Sequence, residues 1–210
     1  MARRRPTNPR KKASQERSRA TVDALVEATA RILVAEGFDK ASTNRIAAKA
    51  GVSVGSLYQY FPCKEALVAA VLERHNRQLM QVARKTLAEV MSQPLENAVR
   101  KLVAVAVEAH SIDPKLHRVL AEQIPRTGKL ENVAAFSRET YGMFRTYLEG
   151  HRSELRALDL ELAAFVCVTS IEALTHTAVL HHPEMLAHEA MEALVEEATR
   201  LVVRYLKESY

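Results

Sequence analysis

The sequence is poor in the residues that punctuate short strands. It holds 6 glycines and 7 prolines in 210 residues, about half the usual share. A β-sandwich or barrel needs a turn signal every strand or so, so an all-β fold is excluded. Two cysteines exclude a disulfide scaffold. Cys63 and Cys167 stand far apart and match no metal or redox spacing. With no export signal, both are expected as reduced thiols in a cytosol. Long apolar runs are missing as well. None exceeds seven residues, the length of Leu162 to Val168, against about 20 residues for a spanning helix, so no transmembrane segment is expected. The basic start runs into more polar residues up to Arg19, without the apolar stretch of a signal peptide. There is no glycine loop for phosphate, no nucleophile elbow and no paired-carboxylate arrangement, so no enzyme and no cofactor are expected. A disordered chain is excluded by the 48% of hydrophobic residues, and the length suits one large domain or two small ones with a sizeable core.

What the chain does have is a charge of uneven placement. The net charge is +5. Residues 1–19 carry eight basic groups and one acid, and residues 1–64 carry 13 basic and five acidic groups. Residues 65–210 hold 17 basic and 20 acidic groups. A near-neutral body therefore follows a basic beginning. Residues 1–16 have two prolines and no apolar periodicity, so a disordered basic arm is expected over 1–18. Such an arm adds salt-sensitive, nonspecific DNA affinity or enters a minor groove; the plainer reading is a solubilising tail.

From Val22 the apolar residues fall at helical spacing: Val22, Leu25, Val26, Ile32 and Leu33 share one face. Gly37 stops this helix. Ser42 or Thr43 caps a short helix through Ala50; Gly51 breaks it, Ser53 caps another through Tyr60, and Pro62 ends that one. A long helix is expected from about Lys64 to Met91. Others are expected from Pro94, from Asp113 to about Ile124, from Glu131 to Glu149, from Glu154 to Leu180 and from Leu186 to Lys207, with residues 125–129 as a loop. The expectation is all-α, with nine helices and no strand.

The segment from Ser42 to Lys64 carries the strongest signal. Two short helices flank Gly51, with the small Ala47 four residues earlier. A helix-turn-helix crosses its helices steeply over such a turn, and Gly51 supplies its positive φ. Ile46, Ala50, Val52 and Leu57 are spaced to form the shared core, and Phe61 is expected to pack inward. Asn44, Arg45, Ser53, Val54, Ser56, Tyr58, Gln59 and Tyr60 are then expected to be exposed. Hydroxyls, amides and backbone N–H groups at a helix start bind phosphates, and Asn and Gln pair with adenine edges. A helical hairpin that merely packs would also leave polar residues outside.

On these residues the segment from Arg19 to about Leu72 resembles the DNA-binding domain of the TetR (AcrR-type) family. The matching positions are Ala28, Leu33, Gly37, Phe38, Thr43, Ile46, Ala47, Ala50, Gly51, Val52, Ser53, Gly55, Leu57, Tyr58, Tyr60, Phe61, Lys64 and Leu67. Cys63 departs from the pattern, where Ser is common. The resemblance implies a helix-turn-helix domain over 19–66, with a helical ligand-binding and dimerisation domain over 67–210. It implies a transcriptional repressor that binds a palindromic DNA operator as a homodimer and is released by a small-molecule inducer. By family position Thr43, Ser53, Tyr58, Tyr60 and Lys64 would hold phosphates. Asn44, Arg45, Ser56 and Gln59 would read bases, and Val54 and Gly55 would approach the groove closely.

The rest of the chain resembles the family only in layout. Leu160–Leu180 is apolar on most of its circumference, which marks a helix buried all round. The last helix has a single stripe. The expected dimer face comprises Phe165, Val166 and Ala173 with Leu194, Val195, Ala198, Leu201, Val202 and Tyr205; the plainer reading makes both helices ordinary core. Polar residues within apolar stretches are pocket candidates: His75, His110, Gln123, Tyr141, Phe144, Arg145, Thr169, Glu172 and His176. A metal site through His176, His181, His182 and His188 lacks defined spacing, so no metal is expected. The alternative to a regulator is a dimeric architectural DNA-binding protein with no ligand, which a footprint distinguishes by diffuse protection instead of one short palindrome.

Overall fold

The computed structural model describes residues 16–127 and 130–208, without side-chain detail for 122–136. Nine α-helices, two short 3-10 segments and no strand are found among the described residues. The helices are α1 Glu16–Lys40, α2 Thr43–Ala50, α3 Val54–Tyr60, α4 Lys64–Val90, α5 Leu95–Ser111, α6 Pro114–Thr127, α7 Leu130–Gly150, α8 Leu160–His181 and α9 His188–Lys207. The chain forms two compact units. Of the described residues, those up to Asn76 and those within 115–132 make the first; those within 77–114 and those from 133 onward make the second.

The first unit is built on α1 to α3, the opening turns of α4, and α6. Leu25, Leu33, Ile46, Leu57, Phe61 and Leu67 fill its centre, none more than 1% exposed, and Leu120 of α6 joins them. α1 begins at Glu16, six residues before its apolar stripe, so the last part of the expected disordered arm is helical. Residues 1–15 lie outside the described residues. Gly37, at φ 77° and ψ 175°, breaks α1 where the sequence placed its stop. α6 continues to Thr127, through residues expected to be loop, and Pro125 falls within it.

The second unit is held by α5, which packs on both α8 and α9. Val99, Val103 and Val107 of α5 meet Ala163, Cys167 and Val202 in a closed core. α8 begins at Leu160, not at Glu154, because Asp159 caps it: its carboxylate accepts the Leu162 N–H at 2.8 Å. The segment ahead of it is tied down by Arg156, whose backbone and side-chain N–H groups donate to the carbonyls of Leu206 and Tyr205 at the end of α9. Among the described residues, α8 is the one helix long and apolar enough to cross a membrane, by length and composition only. One face of it, through Ala164, Cys167, Val168 and Ala178, is buried in this core.

Candidate nucleic-acid interface and ligand cavity

The local chemistry of α2 and α3 explains why the turn holds its shape. Ser42 accepts the Arg45 N–H at 3.3 Å, and Ser53 accepts the Ser56 N–H at 3.0 Å. Each serine thus satisfies one of the amides that a helix start leaves open. Between the helices Gly51 is left-handed, with φ 69°, and Val52 donates to the Ala47 carbonyl at 3.0 Å. Ile46, Ala47 and Leu57 are fully buried beneath it.

The outward face carries Asn44, Ser53, Val54, Gly55, Tyr58 and Gln59. Thr43 and Ser56 are half-buried beside them. The Thr43 and Tyr58 hydroxyls meet at 3.0 Å, and those of Ser53 and Ser56 at 2.8 Å. The first pair joins α2 to α3, and the second lies within the capped first turn of α3. Lys49, one turn beyond Arg45 on α2, is also exposed. Sequence reasoning passed over it, although its four-residue spacing from Arg45 puts it on the same face.

Three expected DNA contacts are engaged elsewhere. Tyr60 is 7% exposed, and its hydroxyl donates to Ser18 at 3.1 Å. Its ring completes the core while its polar tip is satisfied by α1, so it is a core residue and not an outward phosphate ligand. Lys64 donates to the Phe38 carbonyl at 2.8 Å, and its ammonium lies 3.9 Å from the centre of the Phe38 ring. It fastens α4 to the end of α1. Arg45 is exposed as expected but pairs with Glu36 at 2.5 Å and donates to the Lys40 carbonyl.

The second unit contains a cavity of about 130 Å³ between α4, α5, α7 and α8. Val82, Leu102, Val105, Met143, Phe144 and Ile171 represent its mainly apolar wall, and Thr86, His110, Thr140 and Glu172 add the polar groups. Three of the nine residues expected at a pocket are brought together here: His110, Phe144 and Glu172. His110 donates from Nδ1 to the Ala106 carbonyl at 2.6 Å, and burial holds its pKa below the usual histidine value. Burial pushes the Glu172 carboxyl up.

The other expected pocket residues are not on the cavity wall. His75 belongs to the first unit, where it hydrogen-bonds His117 at 3.1 Å. Tyr141 and Thr169 bond each other at 3.3 Å, and the Tyr141 ring leans on Phe165. Arg145 turns out to solvent, where it pairs with Glu149 and Glu161. His176 stands edge-on to His110 with ring centres 5.0 Å apart. The Gln123 side chain lies outside the described residues. The apolar wall went unnoticed because its Val, Ala and Leu residues are indistinguishable in sequence from ordinary core.

The expected dimer residues fall in two groups. Phe165, Ala173 and Leu201 are exposed, and Val166, Leu194 and Tyr205 are half-buried. Val195, Ala198 and Val202 are 7%, 3% and 1% exposed and lie in the second unit's own core, so they are not available to a partner. Leu162 and Leu174, at 57% and 37%, extend the exposed apolar stripe of α8.

Two family models match the chain. That of the bacterial regulatory proteins of the tetR family covers residues 25–71, and that of the tetracyclin repressor-like C-terminal domain covers residues 94–206. Among curated proteins, the nucleoid occlusion factor SlmA of Haemophilus ducreyi is 30% identical over 111 residues, 52% of each chain. The match thus spans about half the length of that relative. Among solved structures, a protein assigned to the tetR family of transcriptional regulators from Mesorhizobium loti has a TM-score of 0.76 at 18% identity, covering 92% of this chain and 100% of that one. SmeT, the repressor of the Stenotrophomonas maltophilia multidrug efflux pump SmeDEF, has a TM-score of 0.66 at 22% identity, covering 90% of this chain and 93% of its own. At these identities the two structures share its fold.

Proposed function

The chain belongs to the tetR family of bacterial regulatory proteins, and we propose that it is a cytoplasmic transcriptional repressor, not an enzyme, that binds a palindromic operator as a homodimer and is released by a small molecule held in the second unit. The observation that carries this is the outward face shared by α2 and the capped start of α3. Asn44, Ser53, Tyr58 and Gln59 stand outward from a closed core, and the serine caps hold the helix start rigid. Amides and hydroxyls presented this way fit a major groove and its flanking phosphates. Ser53, Tyr58, Thr43 and Lys49 are the phosphate contacts of this reading. Asn44, Ser56 and Gln59 read bases, and Val54 and Gly55 allow close approach. Lys64 acts by positioning α4.

Footprinting on the DNA upstream of the protein's own gene tests the proposal, with one short palindrome as the expected result. Gln59→Ala should relax base preference by roughly 1–3 kcal/mol at one position of each half-site, while Lys49→Ala weakens every sequence alike. Competition binding against single-base variants of the site reads the difference. SlmA, by its name a nucleoid occlusion factor, favours a second reading, an architectural DNA-binding protein without a ligand. Diffuse protection in the footprint would select it.

A further inference from the structure

Among the described residues, the cavity wall carries one carboxyl, Glu172, and no Lys or Arg. On the reading that this cavity is the inducer site, we infer that its ligand is a lipophilic amine: a small apolar body carrying one protonated nitrogen that pairs with the Glu172 carboxylate.

The apolar body follows from the wall. Twelve of the sixteen described lining residues are apolar, and engineered cavities of roughly 150 Å³ with such walls accept benzene. The positive charge follows from what the wall lacks. No Lys or Arg is among the described lining residues. Three guanidinium groups on the surrounding helices are paired at the surface: Arg84 with Glu139, Arg100 with Glu196, and Arg145 with Glu149 and Glu161. His110 supplies no cation either. Its Nδ1 proton is given to the Ala106 carbonyl, and burial of the ring disfavours the imidazolium form.

Glu172 is the one carboxyl of the wall, and its side chain has no hydrogen bond or ion pair with a described residue. Its pKa is raised by burial alone, with no compensating neighbour. An ammonium brought by the ligand would supply the missing counter-charge through a charge-assisted hydrogen bond. A carboxylate or phosphate placed there would meet a like charge with no cation to offset it.

Three probes sharing one aromatic body decide the matter: phenethylamine, phenethyl alcohol and phenylacetate, added to the full-length chain near neutral pH. Thermal melting and calorimetry are the readouts. The amine should raise the melting temperature most, the alcohol less, and phenylacetate not at all. Glu172→Gln should weaken the amine roughly tenfold or more and leave the alcohol unchanged. Equal binding of amine and carboxylate, or undiminished amine binding by Glu172→Gln, overturns the charge assignment while the cavity reading stands. Ala106→Phe, which fills the cavity, should abolish every shift. Shifts that persist in this variant, or no stabilisation of the natural chain by any probe, overturn the cavity reading and the amine with it. Melting of the unliganded variants checks that each is folded.

Discussion

Two glycines carry the backbone of the first unit at positions where no other residue is equally at ease. Neither has a neighbour within 4 Å of where a Cβ would sit, so the constraint is conformational and not steric crowding. Gly51, at φ 69° and ψ 29°, occupies the left-handed helical region, which costs other residues about 1–2 kcal/mol and Asn less. Gly37, at φ 77° and ψ 175°, lies in a region that is essentially glycine's alone. Gly37→Ala should therefore destabilise by about 1–3 kcal/mol and more than Gly51→Ala, while Gly51→Asn loses least; urea unfolding of the three variants ranks them. Glu172 offers a second residue-scale test, through pH. Its folded pKa is raised, so its favourable contribution is complete below the unfolded value and lost as pH rises through the folded one. Glu172→Gln should thus gain stability relative to the natural chain as pH is raised from about 4 to about 8. His110, with its folded pKa lowered, acts the opposite way: its contribution is present above the unfolded value and lost as pH falls through the folded one. Melting curves across pH read both slopes.

At the scale of the element, the legible parts of the sequence are those where a local rule decides. Ser42, Gly51, Ser53 and Pro62 set the limits of α2 and α3 by capping and backbone preference, and the structure places these limits as expected. The misread boundaries are those where tertiary contacts outweigh local pattern. Leu155 and Leu158 have apolar spacing suited to a helix, yet they pack as a non-helical approach to α8, fastened by Arg156, and the helix waits for Asp159. Tyr60 and Arg145 were misplaced for a related reason: long amphipathic side chains can bury a stem and direct a polar end either way. Tyr60 directs its end to Ser18, and Arg145 to the surface. The start of α4 gives a prediction at this scale. Cys63 precedes the helix with the Ala66 N–H directed at its sulfur and Glu65 beside it; burial first, and Glu65 after it, raises the thiol. A hydroxyl is a better acceptor for that amide and can donate to Glu65. Cys63→Ser should stabilise the chain by about 0.5–1 kcal/mol, seen as a higher urea midpoint with unchanged slope.

At the scale of the whole molecule, the exposed apolar side chains of the second unit bear on the proposed homodimer. Leu162, Phe165 and Ala173 fall at helical spacing along α8, and Leu201 faces outward from α9 while Val195, Ala198 and Val202 face the core. A contiguous exposed apolar stripe marks an interaction site, and a closed dimer requires the same patch on both partners. The proposed homodimer, if built on α8 and α9, would account for a helix that is apolar on both sides. Leu201, half exposed and outside the core, is the cleanest place to test it. Leu201→Glu puts two like charges against an apolar partner surface and should shift the chain to monomer at micromolar concentration, with little change in the melting of the unassociated chain. Sedimentation equilibrium reads the first effect and scanning fluorimetry the second. Dissociation should also be visible on DNA. A monomer neutralises about half the phosphates that a dimer does, so the slope of log affinity against log salt should fall to about half on the palindrome and stay unchanged on a single half-site. A Leu201→Glu chain that remains dimeric would move the interface off α9, and one that is monomeric yet keeps the full salt slope would mean that assembly does not set the DNA footprint.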